Sequence, residues 1–223
     1  MSGTLKDESG RPLARTRVLA CMTTVCLIGE TGRDGRFSFS IDPAVDVVIK
    51  TEPDLAATPR RGAAMMPVRV AERRLVDVGG VYVPALPAGR AFGPGAAGPQ
   101  VIEAGDGLQL TLSRSALKPR PGDVILDVAA RRLPASRVPT FAALADEDVV
   151  AVYALHPFAA ASAAPIAVRA PSDLRPGTRV RFRTINEIDG TFSPPAPGQA
   201  WGGYVATDPG AGIRELTWLV ISR

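Results

Sequence analysis

Glycine and proline interrupt this chain along its whole length, and that punctuation limits its fold more than any other feature. Twenty-two glycines and 21 prolines are spread over 223 residues instead of gathering in one tail. A proline inside a helix removes a backbone hydrogen bond and clashes with the preceding turn, at a cost of about 3 kcal/mol. Segments cut this short do not sustain long helices. Between the breaks, aromatics make up only 5% of residues, so a core has to be built from Val, Ile and Leu. Side chains branched at Cβ suit a pleated strand, and the expected class is all-β. The length suits two domains of about 90–130 residues, each able to bury its own core.

A membrane helix needs about 18–20 continuous apolar residues. The richest stretch, 158–168, is mostly alanine and is broken by Pro165, so no transmembrane segment is expected. Ser2-Gly3-Thr4 runs from Met1 directly into patterned sequence. The expectation is a cytosolic chain or one whose leader has been removed. The net charge of +4 comes almost wholly from arginine, with lysine only at positions 6, 50 and 118. Arginines at 60, 61, 69, 73 and 74 and at 131, 132 and 137 form two local clusters. Neither is interleaved with the aromatics that stack on bases, so these charges read as loop charge and no nucleic-acid partner is expected.

The first segment reads as closely spaced strands. Residues 17–21 and 25–31 are apolar runs, and Asp34-Gly35 is the strongest short hairpin signal in the chain, because a primed turn needs positive φ. Phe37, Phe39 and Ile41 alternate with Ser38 and Ser40, which buries one face of a strand. A strand over 45–51 follows, with Val45, Val47 and Ile49 on one side, and 68–70 and 76–83 supply the last ones.

These residues carry a resemblance. Gly3-Thr4-Leu5-Lys6-Asp7, Gly10-Arg11-Pro12-Leu13-Ala14, Val18-Leu19 and Thr31-Gly32-Arg33-Asp34-Gly35-Arg36-Phe37-Ser38-Phe39 resemble the carboxypeptidase-regulatory, transthyretin-like domain. Val76-Asp77-Val78-Gly79-Gly80-Val81-Tyr82-Val83 is similar to its closing strand. The resemblance covers about residues 2–87 and implies a seven-stranded sandwich that serves as a spacer or binding module without catalysis. Residues 88–99, rich in Gly, Pro and Ala, have no periodicity and read as a linker.

The second half again shows short strands, at 100–104, 108–112, 124–130, 149–155, 166–170, 178–184, 203–207 and 216–221. The order Asp106-Gly107-Leu108-Gln109-Leu110, Ser115-Ala116-Leu117, a strand near Ile125, Val152-Tyr153-Ala154-Leu155-His156-Pro157, Pro165-Ile166-Ala167-Val168 and Pro176-Gly177-Thr178 is similar to ZU-type β-sandwich modules. Such modules occur in ankyrins and netrin receptors, and related forms in bacterial surface lipoproteins. The family's Pro-Pro-Gly-Ala-Leu turn stands here as Ser113-Arg114-Ser115-Ala116-Leu117. Some relatives cleave themselves at His-Phe-Ser; His156-Pro157-Phe158-Ala159 departs from that motif, and the activity does not carry over.

Several motifs suggest chemistry and are better explained without it. Cys21 and Cys26, the only cysteines, lie at the junction of two predicted strands. They predict a hairpin disulfide, and with it an oxidising compartment; two reduced thiols in a cytosolic chain are the alternative. One histidine with two cysteines is too few for a structural zinc set. Gly93-Pro94-Gly95-Ala96-Ala97-Gly98 spells the dinucleotide fingerprint, but Pro99 and a strand-rich segment follow where a helix is required. Ser115-Ala116-Leu117-Lys118 matches Ser-x-x-Lys, yet Pro119 and Pro121 oppose the helix that would bring amine to hydroxyl. His156 follows an apolar strand and reads as structural or solvent-facing. Asp146-Glu147-Asp148 lacks EF-hand spacing and reads as a solvated loop. Trp218 falls in a run apolar on both faces and reads as core, whereas Trp201-Gly202-Gly203-Tyr204 follows a Pro-rich loop and offers Trp201 and Tyr204 as a partner or glycan contact, the alternative being that Trp201 plugs the end of the sandwich.

The expectation from sequence is therefore two β-sandwich domains, 1–87 and 100–223, in an extracytoplasmic protein without cofactor or metal. The expected role is a non-catalytic structural or protein-binding scaffold of a bacterial surface or extracellular assembly. Its partners would be copies of itself or another surface protein, met through the terminal strands and the 201–204 loop. The alternative is a glycan-binding accessory module.

Overall fold

A computed structural model describes residues 1–41, 45–70, 75–93 and 98–223. Arg73 and Arg74 of the first arginine cluster, and Pro94-Gly95-Ala96-Ala97 of the glycine-rich stretch, lie outside the described residues. The described chain is all-β and divides into two compact units, Met1–Ala85 with Asn186–Thr191, and Leu86–Ile185 with Phe192–Arg223.

The first unit holds β1 (Ser2–Asp7), β2 (Arg17–Met22), β3 (Val25–Glu30), β4 (Arg36–Ser38), β5 (Val45–Lys50), β6 (Met65–Val70) and β7 (Asp77–Val83). Three of them form a sheet ordered β4-β1-β7, with β1 and β7 parallel, and four form a sheet ordered β3-β2-β5-β6. Leu5, Val18, Ala20, Phe37, Val47 and Ile49 draw both sheets into one buried cluster. Strand alternation accounts for the membership, since Val47 and Ile49 point inward and Asp46 between Val45 and Val47 is exposed.

The Asp34-Gly35 turn forms, with Gly35 at φ +75°, but it is not the hairpin its sequence suggests. The strands flanking it, β3 and β4, belong to different sheets. Glycine is required there for a second reason, because a Cβ on Gly35 would lie 2.8 Å from both the Leu5 carbonyl oxygen and the Pro12 Cβ. Local turn chemistry gives the bend and leaves the pairing open. By contrast, Cys21 and Cys26 face each other across the β2–β3 hairpin and are joined by a disulfide. Replacing both with alanine is expected to cost about 2 kcal/mol, the chain-entropy value for so short a loop. Urea denaturation of the double variant measures it.

The outer face of β5 is covered from far along the chain. Lys50 on that face is only 5% exposed, and its ammonium donates to the Glu187 carboxylate at 2.6 Å. Gly190 packs so closely that a Cβ there would be 2.7 Å from a Val48 methyl and 3.2 Å from Pro67. The six residues Asn186–Thr191 thus complete the first unit, although they lie between strands of the second.

The second unit holds β8 (Arg90–Ala91), β9 (Gln100–Gly105), β10 (Leu108–Leu112), β11 (Leu117–Lys118), β12 (Asp127–Arg132), β13 (Val149–His156), β14 (Ala160–Pro171), β15 (Arg179–Thr184), β16 (Ala196–Ala200), β17 (Tyr204–Thr207), β18 (Ile213–Leu216) and β19 (Trp218–Ser222). Among the described residues they make one 12-stranded sheet, ordered β8-β12-β13-β19-β15-β16-β17-β14-β10-β9, with β11 and β18 pairing to β14 off that path. A sandwich of separate sheets is the expectation here; the observed sheet instead nearly closes on itself. Gly105 at the end of β9 approaches β12 so tightly that a Cβ would lie 2.5 Å from the Ala130 carbonyl oxygen. Asp106 and Gly107 have φ of +47° and +75°, which makes them the primed turn between β9 and β10. The Asp106 carboxylate accepts the Arg132 backbone N–H at 2.7 Å, fixing the turn to β12. Leu108, Leu110, Tyr153, Leu155, Phe182 and Leu219 are among the side chains that fill the interior.

Three further differences from the sequence reading have physical causes. Part of the stretch read as linker is structured, because Arg90 and Ala91 pair with Val128 and Asp127. Strand β14 runs through Pro165, which is accommodated where the register with β18 shifts. The terminal strands, expected to offer free edges, are both internal: β1 lies between β4 and β7, and β19 between β13 and β15. All five residues of β19 are buried, as a run apolar on both faces requires.

A buried ammonium is tolerated only while its counter-charge is present. Glu187→Gln is therefore expected to destabilise the protein by about 3 kcal/mol, and adding Lys50→Met to recover most of the loss. Urea denaturation of the two variants provides the measurement; an unchanged midpoint in Glu187→Gln would show that the pair is not holding Asn186–Thr191 in place.

Candidate binding surface

Strands β16 and β17 are joined by a two-residue turn. Trp201 N–H donates to the Tyr204 carbonyl at 2.8 Å, and Gly202 and Gly203 between them have φ of +31° and +83°. Glycine takes successive positive φ values at no steric cost. The turn leaves the Trp201 side chain 50% exposed. Trp218, in contrast, is buried.

Tyr204 is half-buried, and one face of its ring is already occupied. The Arg169 guanidinium carbon lies 3.8 Å from the ring centroid, and Gln109 Oε1 accepts from Arg169 Nη1 at 3.4 Å. Gln109 in turn donates to Glu103 Oε2 at 3.0 Å. Strand register produces this row, since Glu103, Gln109 and Arg169 are directly opposite one another across β9, β10 and β14. Glu103, Gln109, Arg169, Gly202, Gly203 and Tyr204 line an open cleft of about 410 Å³. Tyr204 braces an arginine with one face of its ring, and the Trp201 ring is half-exposed at the tip of the turn.

The other residues that suggested chemistry are placed as follows by the fold. His156 is buried, with Nε2 3.5 Å from Asp127 Oδ1. Ser115 lies in a short 3-10 turn (Arg114–Ala116) and Lys118 in β11, so no helix brings amine to hydroxyl. Arg69 pairs with Asp46 at 2.9 Å, and Arg131 with Asp106 at 3.5 Å.

The acidic loop 146–148 is not a freely solvated one. Glu147 accepts two hydrogen bonds from Arg183, at 2.7 and 2.9 Å, and one from the Ser222 hydroxyl at 2.6 Å. Asp148 exchanges both backbone hydrogen bonds with Arg223 and pairs with its guanidinium at 2.9 Å. The loop thereby clamps the end of β19.

Comparison with known proteins adds no relative: no protein-family profile matches the chain, and no curated protein matches it.

Glu103, Gln109 and Arg169 were not visible as a site in the sequence. Their alternation with Ile102, Leu110 and Val168 marks each as outward-facing, but only the register brings them together.

The clamp has a pH consequence. The Arg183 hydrogen bonds chiefly, with the Ser222 hydroxyl and the charges of Arg183 and Arg181, hold the Glu147 carboxyl below its ordinary value near 4.5 against the upward push of burial. A depressed carboxyl stabilises the fold fully above its unfolded value, and the contribution is lost as pH falls through the folded one. The melting temperature is expected to fall from about pH 4.5 downward, and Glu147→Gln to flatten that fall while costing about 2 kcal/mol at neutral pH. Thermal melts over a pH series compare the two proteins; parallel curves would mean that Glu147 is not the group responsible.

Proposed function

We propose that this chain is a non-catalytic binding scaffold of a bacterial surface or extracellular assembly, and that copies of it associate by adding a strand to the free edge of β3. One observation carries the proposal. Among the described residues strand β3 pairs only with β2, and it exposes Val25 by 50% and Ile28 by 62%. A free edge offers unpaired backbone donors and acceptors to another strand, and proteins that stay monomeric blunt such edges with lysine, proline or short strands. The first unit's other edges are blunted by proline, brevity or a bulge: β6 carries Pro67 and Arg69, β4 has three residues, and β7 bulges at Gly79, where its register with β1 shifts. Strand β3 has no such protection before Glu30.

Other features support the same reading. The disulfide is consistent with an oxidising compartment. Seven strands in sheets of three and four are what a transthyretin-like, carboxypeptidase-regulatory module would supply, and the break between units at Ala85 and Leu86 lies close to the boundary the motifs suggest. The ZU-type resemblance of the second half rests on motif order alone, because a nearly closed sheet is not that module's two-sheet form.

A second reading, a glycan-binding accessory module, is favoured by the half-exposed Trp201 at the tip of its turn.

Light scattering over a concentration series separates the two. Association is expected to rise with concentration, to be abolished by Ile28→Lys and to be unchanged by Trp201→Ala. A chain that stays monomeric throughout, or an Ile28→Lys variant that associates like the parent, would overturn the β3 proposal.

A further inference from the structure

Arg169 is held firmly in place without a matching charge. On the same outer face of the second unit's sheet, Arg179 pairs with Asp208 at 2.6 Å, Arg183 with Glu147 at 2.7 Å and Arg181 with Glu147 at 3.5 Å. Arg169 has no carboxylate within ion-pair reach among the described residues, although it is braced by the Tyr204 ring at 3.8 Å and by Gln109 at 3.4 Å. Stacking of this kind fixes the guanidinium plane and leaves its N–H edge to meet a planar acid, which arginine does by two parallel hydrogen bonds.

The rest of the cleft narrows the class of ligand. Glu103 and Gln109 continue the row, and their planar carboxylate and amide accept hydroxyl donors. Gly202 and Gly203 form part of the wall and contribute backbone only. The volume of about 410 Å³ falls in the range of small-ligand sites. Glu103 would repel a run of acidic side chains, whereas a sugar carries one acid with several hydroxyls.

We propose that this cleft binds an acidic sugar residue, with the sugar carboxylate on Arg169 and ring hydroxyls on Gln109 and Glu103. The proposal rests on the second reading above, in which the Trp201 turn contacts glycan, and it names the chemical class of that glycan.

The test uses the full chain and changes the ligand as well as the protein. Calorimetric titration with methyl galacturonoside, which carries one carboxylate, is compared with its methyl ester, which keeps every hydroxyl and loses the charge. The acid is expected to bind at least about tenfold more tightly than the ester, as a bidentate charge-assisted contact should give. Arg169→Gln should bring the acid down to the ester's affinity and leave the ester unaffected, with an unchanged thermal melt. Equal affinities for acid and ester overturn the proposal whether or not the variant folds, and so does acid binding that survives in Arg169→Gln. If both sugars bind equally and Trp201→Ala abolishes them, the glycan reading stands and the acidic class falls. If neither sugar binds, both fall. Binding of hexaglutamate in place of either sugar would assign the cleft to an acidic peptide and overturn the proposal.

Discussion

An unpaired strand edge exposes a row of backbone groups that only water or another strand can satisfy, and the two units meet this constraint differently. In the second, β9 is drawn back toward β12 by the glycine at 105, which permits backbone to approach backbone, and by the Asp106 carboxylate on the Arg132 N–H. A sheet closed in this way keeps few free edges. Among the described residues the first unit has two open sheets, hence four edges; β6 is protected by proline, β4 by brevity and β7 by the bulge at Gly79, and β3 has none of these. The proposed association surface rests on that asymmetry.

The near-closed sheet also explains the character of β19. Strand β19 must be apolar on both faces because it lies inside the sheet, and the Glu147 and Asp148 clamp supplies charge compensation at its C-terminal end. The carboxylates of this loop belong to the stability of the fold. The same is true of Lys50, an ammonium made tolerable by Glu187.

What could be read in advance was local. Strands at 17–21, 45–51, 108–112 and 149–155 follow from alternation or from short apolar runs, and the Cys21–Cys26 disulfide from its place in a predicted hairpin. What could not be read was pairing between distant segments. Asp34-Gly35 and Asp106-Gly107 have the same turn chemistry, yet only the second joins neighbouring strands, because sheet membership is decided by the core and not by the turn. Asn186–Thr191 has no pattern linking it to β5. The candidate site shows the same division. The loop around Trp201 left open whether its ring is exposed or plugs the end of the fold, and the occupation of the Tyr204 ring depends on Arg169, 35 positions earlier in the numbering and brought near by the pairing of β14 with β17.

The central claim is that association uses an unprotected edge in the first unit while the terminal strand is already satisfied within its own sheet. Hydrogen–deuterium exchange of individual amides, followed from dilute to concentrated protein, tests this most directly. The amides of Leu219, Val220 and Ile221 should be among the slowest to exchange at every concentration, and those of β3 that face away from β2 should exchange quickly when dilute and become protected as concentration rises. Protection of β19 that appears only on concentration, with β3 unchanged, would contradict the account.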